Sequence, residues 1–291
     1  MSLNKDSKFL FFGGLGFIGE CLTKKLIEKG YNNITVVSKN VSQSIYRDKI
    51  NLIEATIKIC SYKRLIQDAD YIINFIPSYI ELDKLIIEYS NAILIHLGTR
   101  LQFDKQEIEL NEQSITNPQN EYAKNKNCSE ILYKDANGIL IRIANVYGPS
   151  GNFLRKKTLD TYILKPLFKN QVLNIDIPID TFKDMLYLKD FLAAIILIFE
   201  NSDKCKGQCF VVGSGEKVTI GEIIEIAKEN FPDAKINYNP KKNTSIESFT
   251  CNSNKLNVFT SWNAKTSFRK GFINTINTLR SISQGSKASF N

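Results

Sequence analysis

Gly13, Gly14, Gly16 and Gly19 crowd into one short stretch near the start of the chain, "FFGGLGFIGECL" (residues 11–22). The stretch directly follows an apolar run and directly precedes a helical pattern, and few folds need so many bare backbone positions at such a junction. Gly13, Gly16 and Gly19 have G-x-x-G-x-x-G spacing. The first glycine of such a loop permits a tight turn, the second lets the backbone approach a pyrophosphate, and the third lets the helix pack close to the strand. Backbone N–H groups at the helix start, those of Phe17 and Ile18, then meet negative charge together with the positive end of the helix dipole. The loop predicts a bound dinucleotide.

The first half of the chain alternates in the manner this loop requires. Apolar runs of strand length fall at residues 9–12, 34–37, 71–76, 92–97 and 139–143. Helical spacing falls between them, at 18–28, 64–69, 82–89 and 122–133. Continuously apolar strands separated by helices predict an α/β fold with a doubly wound parallel sheet, which binds ligands at the carboxyl ends of its strands. Near Tyr147 the texture changes. "YGPSGNF" is a turn-rich break, followed by a helical stretch (159–169), strand-like pieces (172–175 and 209–212) and a loop leading into a helix near Thr219. The expected division is a dinucleotide-binding domain over 1–150, with 188–212 packing back on it, and a smaller C-terminal α/β substrate lobe over 151–291. The polar end, residues 280–291, reads as a disordered tail.

Composition removes several function classes. Hydrophobic residues make up 43% of 291 and charged residues 23%, enough for a large core. The longest apolar run, "FLAAIILIF" (191–199), is half of the roughly 18 residues that a membrane span needs and reads as a buried helix. The N-terminal "KFLFF" runs straight into the glycines and reads as a first strand rather than a leader, so the expected location is cytoplasmic. The net charge is +8, but lysines interleave with acids along the chain and no arginine-rich block occurs. That argues against nucleic acid and suits an anionic small molecule. Cys205 and Cys209 lie four apart without a second ligand pair, so no metal is expected.

Three features bear on chemistry. The second strand ends "TVVSKN", which puts Ser38 and Lys39 where an acid about 20 residues past the loop would bind the ribose 2′-OH of NAD. A hydroxyl and a cation suit a 2′-phosphate better, which favours NADP(H) and leaves NAD(H) open. Tyr122 and Lys126 in "EYAKNKNCSE" are four apart and share a helix face. A nearby ammonium lowers a tyrosine pKa, so this tyrosine can give a proton to a carbonyl oxygen or take one back. Lys126 can also hold the nicotinamide ribose. Upstream, the strand "AILIHLGTRLQF" ends at Thr99, whose hydroxyl can orient the same substrate oxygen. His96 reads as a packed histidine.

Glycine loop, strand-end Thr and Tyr-x-x-x-Lys, in this order, resemble the extended short-chain dehydrogenase/reductase family, the NAD-dependent epimerase/dehydratase group. "NPQNEYAKNK" is similar to that family's approach to its catalytic helix. "IRIANVYGPSG" is similar to its Arg-x-x-Asn-x-Tyr-Gly-Pro segment through Arg142, Asn145, Tyr147, Gly148 and Pro149. "KDMLYLKDF" resembles its Arg-Asp-Phe-x-Tyr-Val-x-Asp stretch, with Lys183 replacing arginine. The resemblance implies a Rossmann domain, a nicotinamide dinucleotide, a nucleotide-sugar substrate and Thr99, Tyr122 and Lys126 as the catalytic set. It also implies a homodimer through the helices at 82–89 and 122–133. Arg100, Asn145, Asn174 and Lys183 become the candidate substrate contacts beside Thr99 and Tyr122.

Departures narrow the reaction. Phe12 stands where the family has Thr before the first glycine, read as a packing change. Arg100 and Leu101 stand where sugar 4,6-dehydratases carry the Asp-Glu pair that eliminates water, which excludes a dehydratase. The "GTRL" and "VGSGE" stretches look most like reductases of nucleotide-linked 4-keto-6-deoxyhexoses, which supply deoxysugars to surface polysaccharides such as O-antigen. The expected reaction is NADPH-dependent reduction at the sugar C4. A nucleotide-sugar 4-epimerase with tightly held NAD is the alternative, and a non-catalytic dinucleotide sensor stands behind both.

Overall fold

A computed structural model describes residues 3–55, 59–77, 79–150, 158–240 and 248–285. Its centre is a seven-stranded sheet. The strands are β1 (Phe9–Phe12), β2 (Ile34–Ser38), β3 (Asn51–Glu54), β4 (Tyr71–Asn74), β5 (Ile93–Thr99), β6 (Ile139–Ile143) and β7 (Cys209–Val212). They lie in the order β3-β2-β1-β4-β5-β6-β7, every neighbouring pair parallel. Parallel strands need crossovers, and helices supply them: α1 (Phe17–Glu28), α2 (Lys63–Asp68), α3 (Ile80–Tyr89) and α4 (Glu121–Asp135). The sheet is the doubly wound arrangement that the alternating pattern predicts.

Burial explains which strands the sequence reveals. All four residues of β1 and of β4 are buried, so β1 reads as an unbroken apolar run and β4 as one interrupted only by Asn74. Phe9 stacks on Tyr71, and Phe199 packs edge-on against both rings. β3 sits at the sheet edge with no fully buried residue. Half-wet edges carry no such run, and this strand is not predicted from the sequence.

Beyond β6 the chain builds short two-stranded pairings. Asn145–Tyr147 pairs with Met185–Tyr187, Leu173–Ile175 with Ile236–Tyr238, and Phe182–Lys183 with Val218–Thr219. Helix α5 (Leu159–Phe168) and the helices Ile220–Asn230 and Phe268–Gly285 close a second apolar core around Tyr147, Leu167, Ile223, Phe268 and Phe272. Helix α6 (Leu188–Glu200) belongs to the sheet's core instead, and β7 extends the sheet itself. Residues 280–285, expected in a disordered tail, continue the last helix because its inner face buries Ile276 and Leu279 in the second core. The remainder of that tail, 286–291, and the end of "YGPSGNF" lie outside the described residues.

Candidate active site

The four glycines have separate physical causes. Gly13 turns the chain with φ of +71°, and its N–H donates to the Val37 carbonyl at 2.7 Å. Gly14 has no room for a side chain, since a Cβ there would lie 2.9 Å from Phe11 Cβ and 3.0 Å from Val36 Cγ1. Gly19 rests on Gly14, with 2.7 Å from an added Cβ to the Gly14 Cα. Gly16 differs from the other three. It caps α1 with ordinary backbone angles, and an added Cβ would meet one described neighbour, the Gly13 carbonyl oxygen at 3.3 Å. The open side of the turn is therefore at Gly16, beside Phe17 and Ile18 in the first turn of α1. These residues fit a dinucleotide's pyrophosphate. Phe12, next to the turn, packs edge-on against Tyr62 with ring centres 5.4 Å apart.

At the end of β2, Ser38 is half-buried and Lys39 exposed. Ser38 is the register partner of Glu54 in β3. A carboxylate thus stands one strand over from the position where the sequence lacks an acid, a neighbour hidden from sequence reading because β3 itself was.

Thr99 ends β5 and opens a short turn, Arg100–Gln102. Its Oγ1 accepts the Leu101 N–H at 3.4 Å, which leaves its own proton to donate elsewhere. Tyr122 and Lys126 lie in the first half of α4, which packs on β5 and is capped by Asn120, whose Oδ1 accepts the Ala123 N–H at 2.8 Å. His96, three residues before Thr99, lies beside the backbone of Lys126 on α4. The His96 ring packs 5.1 Å from that of Tyr133. Its Nε2 is buried without a partner among the described residues. Burial, then the Lys126 charge, lower its pKa to about 3, so it stays neutral.

Lys126 is 7% exposed and Tyr122 41%. Burial lowers the Lys126 pKa to about 8, and Asp83 of α3 opposes the shift. Asp83 is itself buried and fully engaged. It accepts hydrogen bonds from Asn74 Nδ2 at 2.9 Å, Ser129 Oγ at 2.7 Å and Tyr133 Oη at 3.0 Å. The expected acidification of Tyr122 by its lysine is corrected here: burial pushes the phenol above its usual pKa. The ammonium lies deeper than the phenol, and a carboxylate offsets its charge.

The candidate substrate residues divide. The Arg100 guanidinium lies 4.6 Å and the Lys183 ammonium 5.5 Å from the ring centre of Phe249. The fold thus gathers both cations on one aromatic that the sequence did not single out. Asn145 is half-buried in the strand paired with Met185–Tyr187, and its N–H donates to the Asp184 carbonyl at 3.3 Å. Asn174 lines a separate cleft of about 560 Å³ with Thr158, Tyr162, Lys165 and Gln171; none of Thr99, Tyr122 or Lys126 lines it.

The sequence of residues 9–213 matches the NAD dependent epimerase/dehydratase family, more than half of the chain. The chain belongs to that family. The match runs from β1 through β7, so it spans the whole sheet, and Phe249 lies beyond it. Similar solved structures include UDP-glucose 4-epimerase from Thermotoga maritima with UDP-glucose (20% identity, TM-score 0.81, 94% of this chain and 99% of that one covered). Another is dTDP-glucose 4,6-dehydratase from Bacillus anthracis in complex with NAD (17%, TM-score 0.80, 96% and 98%). A third is UDP-glucuronic acid 4-epimerase from Bacillus cereus in complex with UDP-glucuronic acid and NAD (16%, TM-score 0.81, 94% and 99%). Among the described residues no helix is long and apolar enough to cross a membrane, and no three His, Cys, Asp or Glu side chains gather as metal ligands.

Proposed function

We propose that this family member is a nicotinamide-dinucleotide-dependent oxidoreductase acting at C4 of a nucleoside-diphosphate hexose. The observation that carries the reading is the placement of Thr99, Tyr122 and Lys126. They sit at the carboxyl end of β5 and the start of the helix packed on it, in a sheet whose first turn offers an open glycine at Gly16. Gly16, Phe17 and Ile18 would hold the pyrophosphate on the turn that Gly13 and Gly19 shape, and Ser38 and Lys39 would reach the adenosine ribose. When bound, the dinucleotide supplies a two-electron hydride donor or acceptor. The chain's own residues manage the proton. Tyr122 donates it to the sugar O4, Thr99 hydrogen-bonds the same oxygen, and Lys126 holds the nicotinamide ribose.

Two observations pull towards different members of this class. Ser38 and Lys39 at the end of β2 suit a 2′-phosphate, and this favours NADPH and reduction of a 4-keto-6-deoxyhexose. Glu54 beside Ser38 would repel a 2′-phosphate and accept a ribose hydroxyl, and this favours NAD and the 4-epimerase reading. The NAD named with two of the similar structures supports the second. Incubation with NADH or NADPH and a dTDP-, CDP- or GDP-4-keto-6-deoxysugar separates them. A reductase consumes cofactor, whereas an epimerase purifies with NAD bound and interconverts 4-epimers with none added. Tyr122→Phe should abolish either activity, and persistent turnover in that variant removes Tyr122 from its role.

A homodimer through α3 and α4 belongs to the same proposal. The exposed residues of these helices are largely charged, Glu81, Lys84, Glu88, Glu121, Lys124, Lys134 and Asp135, with Tyr122, Cys128 and Ile131 among them. Such a contact would rest on ion pairs and weaken with salt, which sedimentation at low and high ionic strength would detect.

A further inference from the structure

Behind Thr99 lies a buried polar chain that the proposed chemistry does not use. Gln102 is completely buried. Its Oε1 accepts the Thr99 N–H at 2.8 Å, and its Nε2 donates to Glu130 Oε2 at 2.8 Å. Glu130, on α4, also accepts from Arg142 Nη2 at 2.7 Å and Nε at 3.2 Å. Arg142, on β6, lies over the Phe103 ring at 5.0 Å. The amide can face only one way, because a backbone N–H only donates and an ionised carboxylate only accepts. Gly98 leaves room for this arrangement: a Cβ there would collide with Gln102 Oε1 and lie 3.3 Å from Glu130 Oε2.

Burying such a chain has a cost unless each group finds its partner, and here each does. Its near end is the amide of the residue whose hydroxyl meets the reacting oxygen. We propose that Gln102 is a positioning residue that fixes the backbone of Thr99, and thereby the aim of its hydroxyl, by tying it to the Glu130–Arg142 pair on α4 and β6. This rests on the reading of Thr99 given above. The same carboxylate also joins α4, which carries Tyr122 and Lys126, to the strand end that carries Thr99. The two halves of the proton-transfer site are thus held in mutual register. A leucine at 102 would fill the space but leave the Thr99 N–H unpaired.

Two measurements test this. In Gln102→Leu, hydrogen–deuterium exchange at the Thr99 amide should accelerate about tenfold or more, since its partner is gone. kcat should fall about tenfold to a hundredfold, the scale of a small misplacement, with dinucleotide affinity within about twofold of wild type. In a Thr99→Ala background the same substitution should cost nothing further, because it acts through Thr99. Unchanged Thr99 exchange, or losses that simply add in the double variant, would overturn the proposal. If Thr99→Ala loses turnover and Gln102→Leu does not, the positioning role alone fails. If Thr99→Ala keeps full turnover, the role assigned to Thr99 fails first and this one with it. Should the leucine variant not fold, Gln102→Met, unbranched and of similar volume, carries the same comparisons.

Discussion

The sheet and the C-terminal lobe are held in shape by different means. In the sheet, seven parallel strands share one ladder, and every residue of β1 and β4 is buried, apolar or aromatic in all but Asn74. Among the described residues the lobe has two-stranded pairings outside its helices, and buried carboxylates pin its loops. Asp184 accepts from the N–H groups of Ser214 (2.7 Å), Gly215 (2.8 Å) and Cys251 (3.0 Å) and from Ser214 Oγ (2.9 Å). Asp190 accepts from the N–H of Thr266 at 2.9 Å, and Asp160 from that of Gly148 at 3.1 Å. A ladder couples every strand to its neighbours, whereas a carboxylate fixes one loop at a time. A lobe built in the second way can reshape a pocket without disturbing the sheet.

The sharpest way to break this contrast is to remove one pin. Asp184→Ala strands the buried N–H of Cys251 and leaves those of Ser214 and Gly215, which water can partly reach, without their carboxylate. With about 1–3 kcal/mol for a buried unpaired group, a loss of about 2–4 kcal/mol is expected. Trimming the sheet's core by one methylene, Ile73→Val, should cost about 0.5–1.5 kcal/mol. Chemical denaturation of the two variants gives both numbers. Equal losses would mean that the carboxylates are ornaments on a lobe held by its apolar core.

The same division explains what the sequence reveals. β1, β4, β6 and β7 are legible because burial on both faces leaves continuous apolar runs, and the glycine loop because turn, packing and approach each exclude a side chain. Thr99, Tyr122 and Lys126 are legible through order and spacing along the chain. Glu54 was not, since its strand lies half-wet at the sheet edge. Phe249 was not, because it meets Arg100 and Lys183 only after the lobe folds across them. Gln102 and Asp83 are ordinary polar residues in sequence, and their partners lie on other elements. No local pattern records a hydrogen bond between Gln102 and Glu130, or the acid that offsets Lys126 and leaves Tyr122 to be governed by burial.

Within the sheet half, the glycines separate packing from ligand binding. Gly19→Ala would press a methyl onto the backbone of Gly14, and overpacking of this kind costs about 1–3 kcal/mol. Gly16→Ala meets one oxygen at 3.3 Å and keeps allowed backbone angles, so its stability should stay within about 0.5 kcal/mol of wild type. Its dinucleotide affinity should nevertheless fall about tenfold or more, because the methyl occupies the side open to the pyrophosphate. Melting curves with and without dinucleotide distinguish the two. A Gly16→Ala variant that binds as wild type would place the ligand elsewhere.

The smallest expected effect is a shift along the pH axis. Lys126 has its pKa lowered to about 8 by burial, with Asp83 pulling the other way. The folded state therefore binds fewer protons than the unfolded chain between that value and a free lysine's pKa of about 10.4, and the Lys126 contribution to stability rises with pH across the window. Ligand binding runs oppositely: an ammonium that holds the ribose is lost as pH passes about 8, so dinucleotide affinity should fall there. His96 is neutral throughout, and the phenols of Tyr122 and Tyr133 are pushed upward by burial. Asp83→Asn removes the charge that supports the ammonium while leaving an amide oxygen for Ser129 or Tyr133, so the fall in affinity should begin at lower pH. Titration of dinucleotide binding against pH in both proteins decides it. An unshifted profile would mean that Asp83 serves α3–α4 packing alone and that the charge of Lys126 is set by its burial.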